Sequence, residues 1–410
     1  MDVDYEDDAL EEGARPAGRR MKGRGGEEDD RYAGKAGKFE RLDDDDAWGL
    51  SRDANGQSRR SCIRHNRMFP WRHVLRVACL AALSASAGLA SVAFNTQGRL
   101  QRGKAPTTAT AKASCLVPVY QGMSLLQQVG DHMEPVLLTA PLPGGEAPVW
   151  LGRGEGDLRE LQEKLGVDPM DGFWMLDLSP LPSAPSAAVL GVSSSARWAK
   201  LRDRRAVPAP LDLLAPDCAA LLALANGMAQ WHRGVRFCAK CGGPTEAHRG
   251  GLNRRCSACG SRFRPRVDPA MIVLVTRGER CLLGRKAVWP PGRFSALSGF
   301  VELGESLEEC VVREVREESG VAVDAASIRF VASQPWLFPR SLLLGFTAQA
   351  ENERIEVDQE EMEDVRWFEA SYLRAALADK DAADGFNIPS KTSLAHRLIT
   401  GWLKDVEQQR

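Results

Sequence analysis

Between Gly299 and Val321 the chain reads GFVELGESLEECVVREVREESGV, and this stretch constrains it more than any other. From Ser306 to Glu318 there is neither Pro nor Gly, so a helix is expected, with Ser306 as its cap. Leu307, Val311 and Val315, with Cys310 beside them, recur at helical spacing and form a stripe that faces a core. Glu314, Glu317 and Glu318 stand at i, i+3 and i+4, so their carboxylates share one face of that helix. Carboxylates held together repel unless hard cations neutralise them. Oxygen-rich sets of this kind suit Mg²⁺ or Mn²⁺, ions that also bind phosphates. Gly304 and Gly320 let the backbone turn tightly into and out of the helix. An acidic helix face is ordinarily only a solvated surface, held by pairs such as Glu309 and Arg313. The fixed spacing of glycine, arginine and glutamate across the stretch argues here for a site instead.

A chain of 410 residues suggests two or three domains, and 43% hydrophobic residues are enough for packed cores. The formal net charge of -1 argues against a surface that binds nucleic acid as a whole. Residues 1–67 carry runs such as GGEEDD and DDDD with no hydrophobic period, and are expected to be a disordered acidic tail. Residues 68–115 read as a targeting or membrane-anchor segment plus linker. In them, a basic flank precedes the uncharged stretch 77–94, rich in Ala, Ser and Gly. A membrane anchor, the apolar part of a targeting sequence and an Ala-rich soluble helix all fit that stretch. The basic, acid-free segment after it is similar to a transit peptide. The compartment expected is a plastid, a mitochondrion or a membrane, otherwise the cytoplasm or peroxisome. Residues 116–234 look like an α/β accessory domain, with strands at PVLLTAPL, APVWLG and GFWMLDLSPL and helices at GDLRELQEKLG and CAALLALANGMAQWHRG.

Residues 235–264 hold the pairs Cys238–Cys241 and Cys256–Cys259, a CxxC-x14-CxxC arrangement. Four thiolates in two close pairs suit tetrahedral Zn²⁺, and each pair is followed by a glycine that permits a tight knuckle. Four ligands fill the shell, so the metal is expected to be structural, with His248 surplus to it. Two redox-active CxxC pairs are the rival reading, without the usual surrounding fold pattern. The other six of the ten cysteines are scattered, which fits a reducing compartment better than a disulfide scaffold. The ribbon is rich in arginine, which serves either as solvated charge or as a contact for nucleic acid.

The spacing from Gly299 through Glu305, Arg313, Glu314, Glu317, Glu318 and Gly320 resembles, without a gap, the box of the Nudix hydrolases. These enzymes cleave a nucleoside diphosphate linked to another group. SQPWLFPRS, residues 333–341, resembles the element that marks the NADH pyrophosphatase branch of the family, differing at Leu337. A zinc ribbon directly before the Nudix domain (here 265–410), left through the segment 264–269, is similar to that branch as well. The resemblance covers residues 116–410 and implies an α+β protein: a Nudix α/β/α sandwich with a mixed sheet, and a homodimer.

The resemblance also assigns roles. It implies that Glu314 and Glu318 ligate Mg²⁺ or Mn²⁺, with Glu317 a further ligand or base, Ser298 lending its backbone carbonyl and Glu361 contributing from the later acidic run. Glu360 is the near rival of Glu361, because the register is read from Trp367. Arg313 and Glu305 would pair to hold the loops around the helix, with Gly299 and Gly320 shaping its ends. Substrate contacts would come from Phe300, Gln334, Pro335, Trp336, Leu337, Phe338, Pro339, Arg340, Ser341 and Ala395. Trp336 and Phe338 offer faces for a base or nicotinamide ring, and the prolines stiffen the loop. Where the branch commonly has a substrate-contacting Tyr, this chain has Arg264, which puts its substrate preference in question. The reaction implied is hydrolysis of the pyrophosphate of NADH, and of NAD⁺, to reduced nicotinamide mononucleotide (from NADH) and AMP. ADP-ribose, diadenosine polyphosphates and NAD-capped RNA remain alternative substrates. A non-catalytic module binding RNA or protein is the rival of another class, and the full set of box glutamates argues against it.

Overall fold

In the computed structural model, residues 100–101, 115–140, 142, 144–203, 208–338, 340–378 and 385–409 are described. The acidic tail, the uncharged stretch 77–94 and Pro339 lie outside them. No described helix is long and apolar enough to cross a membrane.

Alternation of side chains along extended backbone builds the first sheet. Its strands are β1 (Leu100–Gln101), β2 (Leu116–Tyr120), β3 (Met123–Val129), β4 (His132–Pro135), β5 (Val149–Gly154), β6 (Phe173–Asp177) and β7 (Arg197–Ala199). They run in the order β1-β5-β6-β2-β3-β4, with β7 also on β3, and β2 lies parallel to β6. The strand expected over PVLLTAPL, residues 135–142, does not form, because β4 lies before it and shares only Pro135 with it. Pro135 closes β4; beyond it the Val136 N–H bonds the Leu125 carbonyl, and Leu138 bridges across to Leu116, its N–H and carbonyl both bonded there. Helices α1 (Asp157–Lys164), α2 (Ala187–Leu190) and α3 (Pro216–Gly234) complete the module. The long α3 is Ala- and Leu-rich around most of its circumference, so it is buried rather than amphipathic, and it packs on β2, β3, β4 and β6.

The ribbon is a three-stranded antiparallel sheet of β8 (Thr245–His248), β9 (Asn253–Cys256) and β10 (Arg262–Phe263). It is fastened to the accessory module. Trp150 N–H donates to the Gly250 carbonyl at 2.7 Å, and Gly251 lies so close to Val149 that an added Cβ would sit 2.7 Å from its methyls.

The third sheet comprises β11 (Asp268–Arg277), β12 (Arg280–Arg285), β13 (Leu297–Phe300), β14 (Val323–Trp336), β15 (Ser341–Ala350) and β16 (Asp364–Glu369). Its order is β14-β15-β11-β12-β16 with β13 on β11. Only β11 and β15 are parallel, so the sheet is mixed. Central strand β11 shows why it is covered on both faces. Met271, Val273 and Val275 face one core with Cys310, Val311 and Val315 of α4 (Leu307–Ser319). Ala270, Ile272 and Leu274 face the other with Leu373 of α5 (Ala370–Ala378) and Leu398 and Ile399 of α6 (Leu394–Gln408). Helix, sheet and helix form the sandwich, and the second core continues into the accessory module through residues such as Val117 and Trp231.

Candidate active site

Helix α4 is fixed at both ends by its own sequence. Ser306 accepts from Glu309 N–H, and the Glu309 carboxylate accepts from Ser306 N–H at 2.8 Å, a reciprocal box that satisfies two otherwise free donors. Gly320 closes the helix with φ 71°, and a Cβ there would also meet Glu356 at 2.8 Å. At the front of the helix Arg313 binds several groups together. It donates to both Glu305 oxygens at 2.7 and 2.9 Å, to the Phe300 carbonyl at 2.9 Å, to Glu314 at 3.0 Å and to Glu317 at 2.9 Å. The guanidinium beside Glu305 holds that carboxyl down at about 2. Glu305 also accepts from Glu302 N–H, so the pair ties the loop before α4 to the helix.

Glu314 and Glu318 are both buried, and Glu317 points to solvent. Burial pushes the Glu318 carboxyl up to about 7 and raises that of Glu314 as well. Gly299 exists to make this room: a Cβ there would lie 1.7 Å from the Glu314 carboxyl carbon. Ser298 donates its N–H to Glu318 at 3.3 Å, so β13 and α4 meet where the two carboxylates lie. Glu361 is exposed, yet its charge adds to the rise at Glu314, whereas the Glu360 N–H is turned to Asp358. Two buried acids side by side, with Glu361 adding to their negative surroundings, offer the oxygen donors that a hard divalent cation takes, so the residues fit one. Lys286, which the sequence did not single out, stands 3.6 Å from Glu318.

The 333–341 element runs from the end of β14 into β15. Gln334 is fully buried, and its amide is used by the chain: it donates to the Thr392 carbonyl at 2.7 Å and accepts from Leu394 N–H at 2.8 Å. Pro335 pairs with Leu342, Ser341 is buried, and Arg340 accepts at its carbonyl from Asp268 N–H. Leu337, Phe338 and Phe300 are partly buried against the same core, and Phe338 meets Trp336 edge-on at 5.8 Å. Ala395 is buried, with its N–H taken by the Ser393 hydroxyl that caps α6. Arg264 is exposed on the segment leaving the ribbon. Trp336, expected to offer its face to a ring, is 6% exposed: it sits in the core beside Phe338, and Arg202 of the accessory module covers its ring at 4.2 Å. Nearby, Thr392 donates to Asp212 of the same module at 2.6 Å. No local pattern around Arg202 or Asp212 marks them. They reach this region only through the tertiary packing.

The cysteines converge as their spacing implies. Sγ atoms of Cys238 and Cys259 are 3.6 Å apart, as are those of Cys241 and Cys256, and all four lie within 4.8 Å of one another. Sulfurs about 2.3 Å from a tetrahedral Zn²⁺ stand about 3.8 Å apart, so the set fits that ion. Gly242 and Gly260, at φ 71° and 76°, donate back to the Cys238 and Cys256 carbonyls and form the two knuckles. Among the described residues no other group of three or more such side chains is gathered this closely.

Comparison with known proteins agrees with this geometry. A NUDIX domain model matches residues 265–387, and an NADH pyrophosphatase zinc ribbon domain model matches residues 235–263. The NAD-capped RNA hydrolase NudC of Stutzerimonas stutzeri is 42% identical over 208 residues, covering 51% of this chain and 68% of that protein. This chain belongs to the Nudix hydrolases. The human NAD-capped RNA hydrolase NUDT12 is 39% identical over 208 residues, which are 48% of this Nudix hydrolase but only 44% of the human protein. NudC of Mycobacterium bovis is 41% identical over 188 residues, with 44% of this chain and 59% of that one covered. Membership carries a hydrolase that uses a divalent metal, with a structural zinc held by the four cysteines.

Proposed function

We propose that this Nudix hydrolase splits the pyrophosphate of NADH, and of NAD⁺, releasing AMP and the nicotinamide mononucleotide. The observation that carries the reading is the buried pair Glu314 and Glu318 set against Gly299. The resemblance of residues 333–341 to the element of the NADH pyrophosphatase branch, and the NADH pyrophosphatase zinc ribbon before the domain, support a dinucleotide as the substrate. Glu314 and Glu318, with the Ser298 carbonyl and Glu361, would hold Mg²⁺ or Mn²⁺. Such ions neutralise phosphate charge and lower the pKa of an attacking water. The chain's own contribution is positional. Arg313 donates to Glu314 and Glu317 and so orients both, while the Ser298 N–H and the Lys286 ammonium hold Glu318.

A specific observation favours NAD-capped RNA as a second substrate. On the ribbon, Arg255 and Arg262 stand directly opposite each other on paired strands, both exposed, with Glu246 opposite Arg255 on its other side, so the arginines outnumber the one acid in register with them. Arg264 follows on the exit segment. A phosphodiester chain leaving the cap would suit that row. The homodimer belongs to the same reading, supported by Phe330 and Val331 exposed on edge strand β14.

The test is chromatography of products from NADH, NAD⁺, ADP-ribose and NAD-capped RNA incubated with the purified full chain and Mg²⁺ or Mn²⁺. AMP and reduced mononucleotide, formed fastest from NADH, are expected. Glu318→Gln should lower kcat/KM by about 10³-fold or more with the fold intact, by analogy with the loss of a group that stabilises only the transition state. An unimpaired Glu318→Gln enzyme would sink the assignment.

A further inference from the structure

We propose that Lys286 is the counter-cation that a catalytic metal displaces, and that once displaced it becomes a ligand for the substrate's diphosphate. The inference rests on the metal-site reading above.

Glu318 is held by two groups: the Ser298 N–H at 3.3 Å from one oxygen, and the Lys286 ammonium at 3.6 Å from the other. The Glu318 side chain is 2% exposed and that of Lys286 is 23%. A carboxylate this buried, with Glu314 adding to its negative surroundings, demands a compensating positive charge. Arg313 serves Glu314 and Glu317, whereas Glu318 has Lys286 as its ion-pair partner. The ammonium therefore occupies the electrostatic role that a divalent cation on the same oxygen would take over.

The two cannot share that oxygen at full strength, because they repel. The lysine is the one that yields: it is a single charge, strongly hydrated, on a flexible stem. Its displacement is confined, however. Lys286 follows directly on β12, its carbonyl accepts from Trp289 N–H at 3.0 Å, and its neighbour Arg285 is locked to Glu363. The stem thus pivots from a fixed root beside the metal site, and the anionic oxygens that arrive there are those of the diphosphate. Lys286 exchanges one anionic partner for another as the site fills.

The experiment measures Mn²⁺ binding to the full chain without substrate, by the electron paramagnetic resonance signal of free Mn²⁺, and then the kinetics with NADH. Lys286→Gln should bind Mn²⁺ about threefold more tightly, the scale of losing a part-exposed ion pair. Its KM for NADH should rise about tenfold with kcat changed much less, the scale of one charged hydrogen bond. Lys286→Arg, which keeps the charge, should stay near the wild type in Mn²⁺ affinity. Equal or weaker Mn²⁺ binding by Lys286→Gln overturns the counter-cation role, and an unchanged KM overturns the phosphate role. Glu318→Gln separates the two levels. If it binds Mn²⁺ as the wild type does, the metal-site reading itself fails. If it loses Mn²⁺ while Lys286→Gln is unaltered, only the inference about the lysine fails.

Discussion

At the scale of single residues, the site depends on an arginine–glutamate and a lysine–glutamate contact, each of which lowers its carboxyl, though at Glu318 burial outweighs the lysine. Glu305, paired with Arg313, has its carboxyl depressed to about 2 from an ordinary 4.5. A depressed carboxyl contributes stability that is fully present above the unfolded value and is lost as pH falls through the folded one. Glu305→Gln should therefore be less stable than the wild type at pH 7 by about 2 kcal/mol, the worth of a charged hydrogen bond. The gap should shrink between about pH 4.5 and pH 2. Urea unfolding of both proteins across that range checks it, and a gap independent of pH would show that the pair is not what holds the loop. Gly299 belongs to the same scale. Its lack of a side chain is legible in the sequence as a fixed glycine, but the reason, a carboxyl that would overlap any Cβ, needs the fold.

At the scale of elements, the sequence was most informative where cause and effect are close in the chain. The capping serine, the apolar stripe and the acidic face of α4 all follow from a 3.6-residue period, and the cysteine pairs from knuckle geometry. Their partners were legible. Lys286, Arg202 and Asp212 were not, because each meets the site from an element distant in sequence, with nothing periodic around it. Strand β16 and helix α5 went unread for a related reason: their apolar residues complete faces already begun by other elements. The ends of α4 offer a contrast that can be measured. Ser306→Ala removes one half of the capping box and should cost about 1 kcal/mol, leaving the glutamates in place and activity near normal. Gly320→Ala meets both a left-handed backbone and Glu356, whose Cβ would lie 2.8 Å and main-chain N 3.1 Å from the added carbon, and should cost more, about 2 kcal/mol. Thermal melts and NADH turnover for the two variants decide whether the helix is held chiefly at its end or at its start.

At the scale of the whole molecule, ribbon, accessory module and Nudix sandwich share structure rather than merely sequence. The ribbon holds the accessory module through Trp150 N–H to Gly250 and through His232, whose ring contacts the Gly251 carbonyl at 2.9 Å and Arg254 at 2.9 Å. Because the arginine nitrogen donates, that face of His232 accepts and the other donates, so burial, which pushes the ring down to about 4, keeps it neutral. The accessory module in turn packs with the sandwich around one continuous core and sets Arg202 over Trp336. The zinc site thus lies at one end of a chain of contacts whose other end is the 333–341 element. Stripping the metal, with release of one zinc per chain followed by a colorimetric chelator, should unfold the ribbon, which has little apolar core of its own. The argument then requires two further effects. The main thermal transition should fall by several degrees, because the accessory module loses its partner. NADH turnover should fall through a higher KM more than a lower kcat, because Glu314 and Glu318 are untouched while the loop under Arg202 is loosened. If zinc leaves and both the transition and KM stay where they were, the ribbon is an appendage, and the contacts at Gly250, Gly251 and Arg202 do not transmit its state to the site.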